Sequence, residues 1–160
     1  MSGPAYDLLL VTHILAAVVG FGAIAAAGWA ASTARRSPDP TGDESVRRFF
    51  KVGTDWPARV VFLVPVLGLG LLFGGDRSAA HEPWPWIGLT LWTVAAGLAT
   101  GLCWPAERRA QESLAALGGS AVPSDDVLRD FRDACHRIEV AAGAISICFL
   151  AAVVVMILQP

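Results

Sequence analysis

Leu8–Ala34 reads LLLVTHILAAVVGFGAIAAAGWAASTA, 27 residues without a charged side chain. A helix rises about 1.5 Å per residue, so about 20 apolar residues cross the hydrocarbon core of a bilayer. Three more charge-free stretches follow, Val60–Gly75 (16 residues), Pro83–Ala106 (24) and Val140–Pro160 (21). Soluble domains rarely repeat such runs. The chain therefore reads as an all-α membrane protein, an antiparallel four-helix transmembrane bundle occupying residues 1–160 as one domain. The spans fall at about 7–33, 56–75, 84–106 and 137–158, with polar segments at about 34–55 and 107–136 between them.

Composition supports this reading, with 54% hydrophobic and only 16% charged residues, against about a quarter charged in ordinary soluble domains. The first run is not a cleavable leader, since no Lys or Arg precedes it and it is too long for an h-region. Eleven of the twelve Lys and Arg residues lie beside just two of the gaps, and only Arg77 lies elsewhere. Arg35, Arg36, Arg47, Arg48, Lys51 and Arg59 follow the first span, and Arg108, Arg109, Arg129, Arg132 and Arg137 follow the third. By the positive-inside bias both segments are cytoplasmic, so the N- and C-termini and the Asp76–Pro83 link face outside. That topology implies a multi-pass membrane protein, with the lipid bilayer as first partner. Basic residues that flank spans, with no continuous basic face, exclude nucleic acid as a partner.

Tryptophans favour the headgroup level. Trp84 and Trp86 mark the outer interface and Trp29, Trp56 and Trp104 the inner one, leaving Trp92 at depth as a packing residue. Pro65 predicts a kink in the second span, and Gly68 and Gly70 an approach by another backbone. Small residues four apart at Ala16/Gly20, Ala23/Ala27 and Gly97/Gly101 predict tight helix packing. Between the first two spans, Thr41 to Glu44 matches a capping box opening a short helix through Phe50. Its Phe49 and Phe50 are expected to dip into the headgroups. The third span continues past Pro105 to Leu117, ending at Gly118-Gly119. Ser124 with Asp125 and Asp126 starts the last helix, which carries the apolar stripe Leu128, Phe131, Cys135, Ile138 into the membrane.

Three sets of residues could carry chemistry. His13, the sole histidine within a span, could ligate haem iron, hold a metal, relay protons or bond across to a neighbouring helix. Met156 is the only sulfur ligand at a similar depth. Arg59 and Glu139 lie near one level on the second and fourth spans, which predicts a structural ion pair. Cys103, Cys135 and His136 gather near the cytoplasmic ends of the third and fourth spans, a soft-metal donor set whose spacing matches no zinc pattern. No nucleophile elbow, Gly-rich phosphate loop, HExxH or intramembrane carboxylate pair is present. No catalytic residue is assigned, and the chain reads as non-enzymatic.

His13 with Phe21-Gly22, Trp84-Pro85-Trp86-Ile87-Gly88, Trp104-Pro105-Ala106-Glu107-Arg108-Arg109 and the ending Met156-Ile157-Leu158-Gln159-Pro160 together resemble a bacterial family of predicted integral membrane proteins of unknown function. Its members are four-span proteins, often actinobacterial, and the resemblance implies fold and location without an activity. A more distant similarity, through His13 and Phe21-Gly22, is to HemJ-like protoporphyrinogen oxidases and CopD-like copper proteins, which typically carry Trp where this chain has Phe21. Three functions are thus weighed. The first is an accessory or structural component that organises a larger membrane complex or forms a homo-oligomer. The second is a haem b-binding redox protein using His13, and the third a small transporter or copper-handling protein.

Overall fold

The computed structural model describes residues 3–51, 56–74, 80–119 and 124–158. Arg77 and the Gln159-Pro160 ending lie outside them, as does the side chain of Trp56. Helix α1 (Pro4–Arg36) opens on Pro4, whose missing N–H costs nothing in the first turn. Asp7 in its first turn and Arg35 and Arg36 in its last complement the helix dipole. Helix α2 (Glu44–Phe49) is short. The second span is built in three pieces, α3 (Trp56–Arg59), a 3₁₀ turn (Val60–Phe62) and α4 (Leu63–Gly74). Helix α5 (Pro83–Leu98) passes through a π-helical segment (Ala99–Cys103) into α6 (Trp104–Gly119). Helix α7 (Asp125–Leu158) runs 34 residues, about 50 Å at 1.5 Å per residue. Pro4–Arg36, Pro57–Gly74, Pro83–Gly119 and Asp125–Leu158 are long and apolar enough to cross a membrane.

Contacts set the order around the bundle as α4, α1, α7, α5, with α1 against α7 the most extensive interface. Helix α4 leans on α1 and scarcely touches α5. Gly70 meets Leu9, Gly68 meets His13 and Gly20 meets Val61, so α1 and the second span run antiparallel. Gly28 meets Ala142 while Phe21 stacks on Phe149 at 4.6 Å, so α1 and α7 are antiparallel as well. The bundle thus has a terminal end, holding both ends of the chain, and a basic end, holding α2 and most of α6.

Two glycines are needed where backbones meet. A Cβ at Gly20 would lie 2.6 Å from the Val61 nitrogen, and one at Gly28 would lie 2.6 Å from the Ala142 Cβ. Ala16 and Ala27 are buried beside them, as expected. Gly97 and Gly101 depart from that expectation: nothing lies within 4 Å of a Cβ there, so they face outward. Gly68 and Gly70 admit side chains, those of His13 and Leu9, where a backbone was expected.

Both awkward prolines are absorbed by changes of helical pitch. Pro65 is the third residue of α4, directly after the 3₁₀ turn that joins it to α3, and it brings no N–H to the helix. The Val61 carbonyl, which an N–H at position 65 would have met, accepts the Trp92 Nε1–H of α5 at 3.0 Å. Ahead of Pro105 the π segment widens the helix, a common way to insert an irregularity without breaking it.

The basic end has a closely packed core of its own. Ala106, Ala110, Leu114 and Leu117 of α6 bury against Phe131, Ala134 and Cys135 of α7. Of the stripe Leu128, Phe131, Cys135, Ile138, the last three are fully buried and Leu128 is partly buried against the same core. Phe50 corrects the sequence reading. It is 3% exposed and meets Phe131 edge-on at 5.8 Å, so it enters the protein core instead of the lipid. The cap of α2 also moves. Asp39 organises the preceding turn by accepting from the Thr41 and Gly42 N–H groups, and Asp43 caps the helix by accepting from the Ser45 N–H at 3.0 Å. Asp39 draws Thr41 into that turn, so Thr41 cannot serve as the cap.

Candidate functional site

The polar side chains that reach into the apolar bundle fall at two levels. The first lies at the basic boundary. Glu139 of α7 is half-buried, and its Oε1 accepts from the Ser32 hydroxyl at 3.1 Å while its Oε2 meets the Arg35 guanidinium at 3.0 Å. Arg59 was the expected partner, and among the described residues it forms no ion pair with Glu139. The reason is the order of helices. Helix α3 packs on α1, whereas Glu139 faces the last two turns of α1, so Ser32 and Arg35 reach it first. A carboxylate at the edge of an apolar layer needs a cation, and the nearest available one is Arg35.

The second level holds His13. Its Nδ1 lies 3.0 Å from the Val64 carbonyl of α4. A carbonyl only accepts, so Nδ1 carries the proton in this contact, and in the neutral imidazole Nε2 then keeps its lone pair. Gly68, one turn beyond Val64, makes the room: a Cβ there would come within 3.1 Å of the imidazole Cε1. Of the readings open to His13, the structure places it in a cross-helix hydrogen bond. Met156 does not join it, because the Met156 methyl packs against Gly88 of α5. The imidazole and the thioether are thus turned towards different neighbours.

The soft-donor set also separates. Cys103 and Cys135 are buried, at 1% and 0% exposure, whereas His136 is exposed. Adjacent helical residues point about 100° apart, so Cys135 and His136 cannot serve one site together. Among the described residues no group of three or more His, Cys, Asp or Glu side chains is arranged to hold a metal ion.

A family model described as "Predicted integral membrane protein (DUF2269)" matches residues 7–160. The chain belongs to this family. No curated protein and no solved structure matches it. In this member of the family, then, the description and the four apolar helices agree on an integral membrane protein of unknown function.

Sequence reasoning missed Ser32 and Arg35 in this family member because the arginine pair at 35 and 36 looked like an orientation signal alone. A usable signal existed, since Ser32 and Arg35 are three apart and so share a helix face. The Trp92 link to Val61 was also missed. Pro65 could have pointed to it, because a proline in a span frees a carbonyl that another group must satisfy. Trp104 is half-buried, with its ring 5.7 Å from Phe62, a contact the sequence did not display.

Proposed function

We propose that this chain is a non-enzymatic accessory component of the bacterial plasma membrane, a rigid four-helix unit that organises a larger membrane complex or a homo-oligomer, with its basic end in the cytoplasm. One observation carries the reading: His13, Glu139 and Trp92 each engage a polar group in a link between helices. The His13 imidazole ties α1 to α4, Glu139 ties α7 to α1 through Ser32 and Arg35, and the Trp92 indole ties α5 to the second span. Such links add to the van der Waals packing that holds helices together in lipid.

The test is an absorption spectrum of the protein purified in detergent from haem-replete cells, alongside His13→Ala. The expected outcome is no Soret band in either protein and a lower unfolding temperature for the variant, from loss of one interhelical hydrogen bond worth about 1 kcal/mol. A Soret band that vanishes in His13→Ala would overturn the proposal in favour of a haem b protein using the Nε2 lone pair.

A further inference from the structure

A shallow groove runs along the basic end of α1, lined by Trp29, Ser32, Thr33, Arg36, Ser37 and Asp43, with Pro38 at its edge. Trp29, Thr33 and Arg36 occupy one face of the last two turns of the helix, four and three residues apart. Trp29 is 73% exposed, on the side of α1 that also exposes Ala25, Ala26 and Thr33. An indole left outward at the end of a span is where the ring meets headgroups and glycerol. The Thr33 hydroxyl donates to the Trp29 carbonyl at 3.1 Å and can still accept.

The charges in the groove are of both signs. Arg35 turns inward to Glu139, but Arg36 has no ion-pair partner among the described residues. Asp43, on the facing loop, uses Oδ1 to cap α2 through the Ser45 N–H and hydroxyl. Those bonds, the Ser45 hydroxyl foremost, hold its carboxyl below the usual carboxylate range, so it is ionised at neutral pH. Arg36 and Asp43 line one groove, yet they stand further apart than the 4.0 Å of an ion pair. A guanidinium and a carboxylate held apart beside an exposed indole suit a dipolar headgroup. The fork of Arg36 fits phosphate, for which arginine geometry is well matched, and Asp43 fits an ammonium. A purely anionic lipid would satisfy Arg36 but meet repulsion from Asp43.

We propose that this groove binds the headgroup of a zwitterionic aminophospholipid of the phosphatidylethanolamine type, with the phosphate on Arg36, the ammonium on Asp43 and the glycerol region against Trp29. The assignment needs only the membrane-spanning fold and is independent of the role given to His13.

The full-length protein, delipidated in detergent, is titrated with dioleoylphosphatidylethanolamine or dioleoylphosphatidylglycerol and read by native mass spectrometry. Wild type is expected to bind the ethanolamine lipid more tightly. Arg36→Gln should weaken that binding about tenfold, the loss of a charge-assisted hydrogen bond. Asp43→Asn keeps a good helix cap, so it should fold normally while reversing the preference towards the glycerol lipid. Glycerophosphoethanolamine, the headgroup without acyl chains, should compete only at far higher concentration. If it competes equally, the site reads a soluble phosphate-amine and the lipid assignment fails. Preference for the glycerol lipid in wild type, or an ethanolamine preference untouched by both substitutions, would equally overturn the proposal. Thermal unfolding of each variant guards against misfolding, and Arg36→Lys should retain part of the affinity if Arg36→Gln proves unstable.

Discussion

The two ends of the bundle are held together by different physics. At the basic end and up to the middle, large side chains are buried: Phe131, Ile24, Ile138, Ile145 and Val61 are the largest apolar ones almost wholly shielded. Towards the terminal end, Leu8, Ile157 and Leu158 point outward at 69%, 75% and 70% exposure, and contacts are made by Gly68, Gly70 and Gly88 accepting single side chains. Water explains the contrast. On the proposed topology α6 and the start of α7 stand in water, where burying Phe131, Leu114 and Leu117 removes apolar surface and is strongly favourable. Lipid tails are as apolar as leucine, so nothing is gained there by turning Leu8 inward, and association rests on close packing and polar links. One chain thus carries a soluble-type core continuous with a membrane-type bundle.

The sharpest way to break this comparison is truncation at each end. Phe131→Ala should lower unfolding free energy in bicelles by about 3–5 kcal/mol, as for other buried aromatics. Ile157→Ala should stay within about 0.5 kcal/mol of wild type, as expected where no packed neighbour is lost. Similar losses for both would mean that the two ends are not built differently.

A smaller effect separates inward from outward glycines. Gly20→Ala forces a Cβ against the Val61 backbone and should cost about 1–3 kcal/mol as overpacking. Gly97→Ala meets open space and should be neutral or stabilising by up to about 1 kcal/mol from helix propensity. Chemical denaturation of the two variants side by side reads the difference, and equal destabilisation would refute the assigned facing of α5.

The smallest effect tests the polar bridge from α5 to the second span. Trp92→Phe keeps an aromatic ring near Phe62 but removes the N–H that serves Val61, and should cost about 1 kcal/mol. A larger loss would show that the ring itself carries more of the α5 contact than the hydrogen bond does.

Much of the fold was legible in the chain. The four runs, the helix continuing beyond Pro105 and the Phe131, Cys135, Ile138 stripe all rest on run length or on 3.6-residue spacing, which a sequence displays directly. Two of the failures share a cause. The spans are apolar on nearly every side, α5 and α1 among them, so no stripe reveals which face meets which neighbour. For that reason Gly97 and Gly101 looked like interface residues, and Glu139 was given Arg59 in place of Arg35. Phe50 was misjudged for another reason: an aromatic on a basic helix suits a headgroup surface and a protein core equally well until its neighbours are known.

What the residues settle alone is how many helices are long and apolar enough to cross and which end collects the cations, because each depends only on order along the chain. What required the folded molecule is the rotation of each helix about its own axis and the circuit α4, α1, α7, α5. Those depend on small differences in packing among many apolar faces of nearly equal merit, and they alone decided that His13 meets Val64, that Glu139 meets Arg35, and that Arg36 is left beside Asp43.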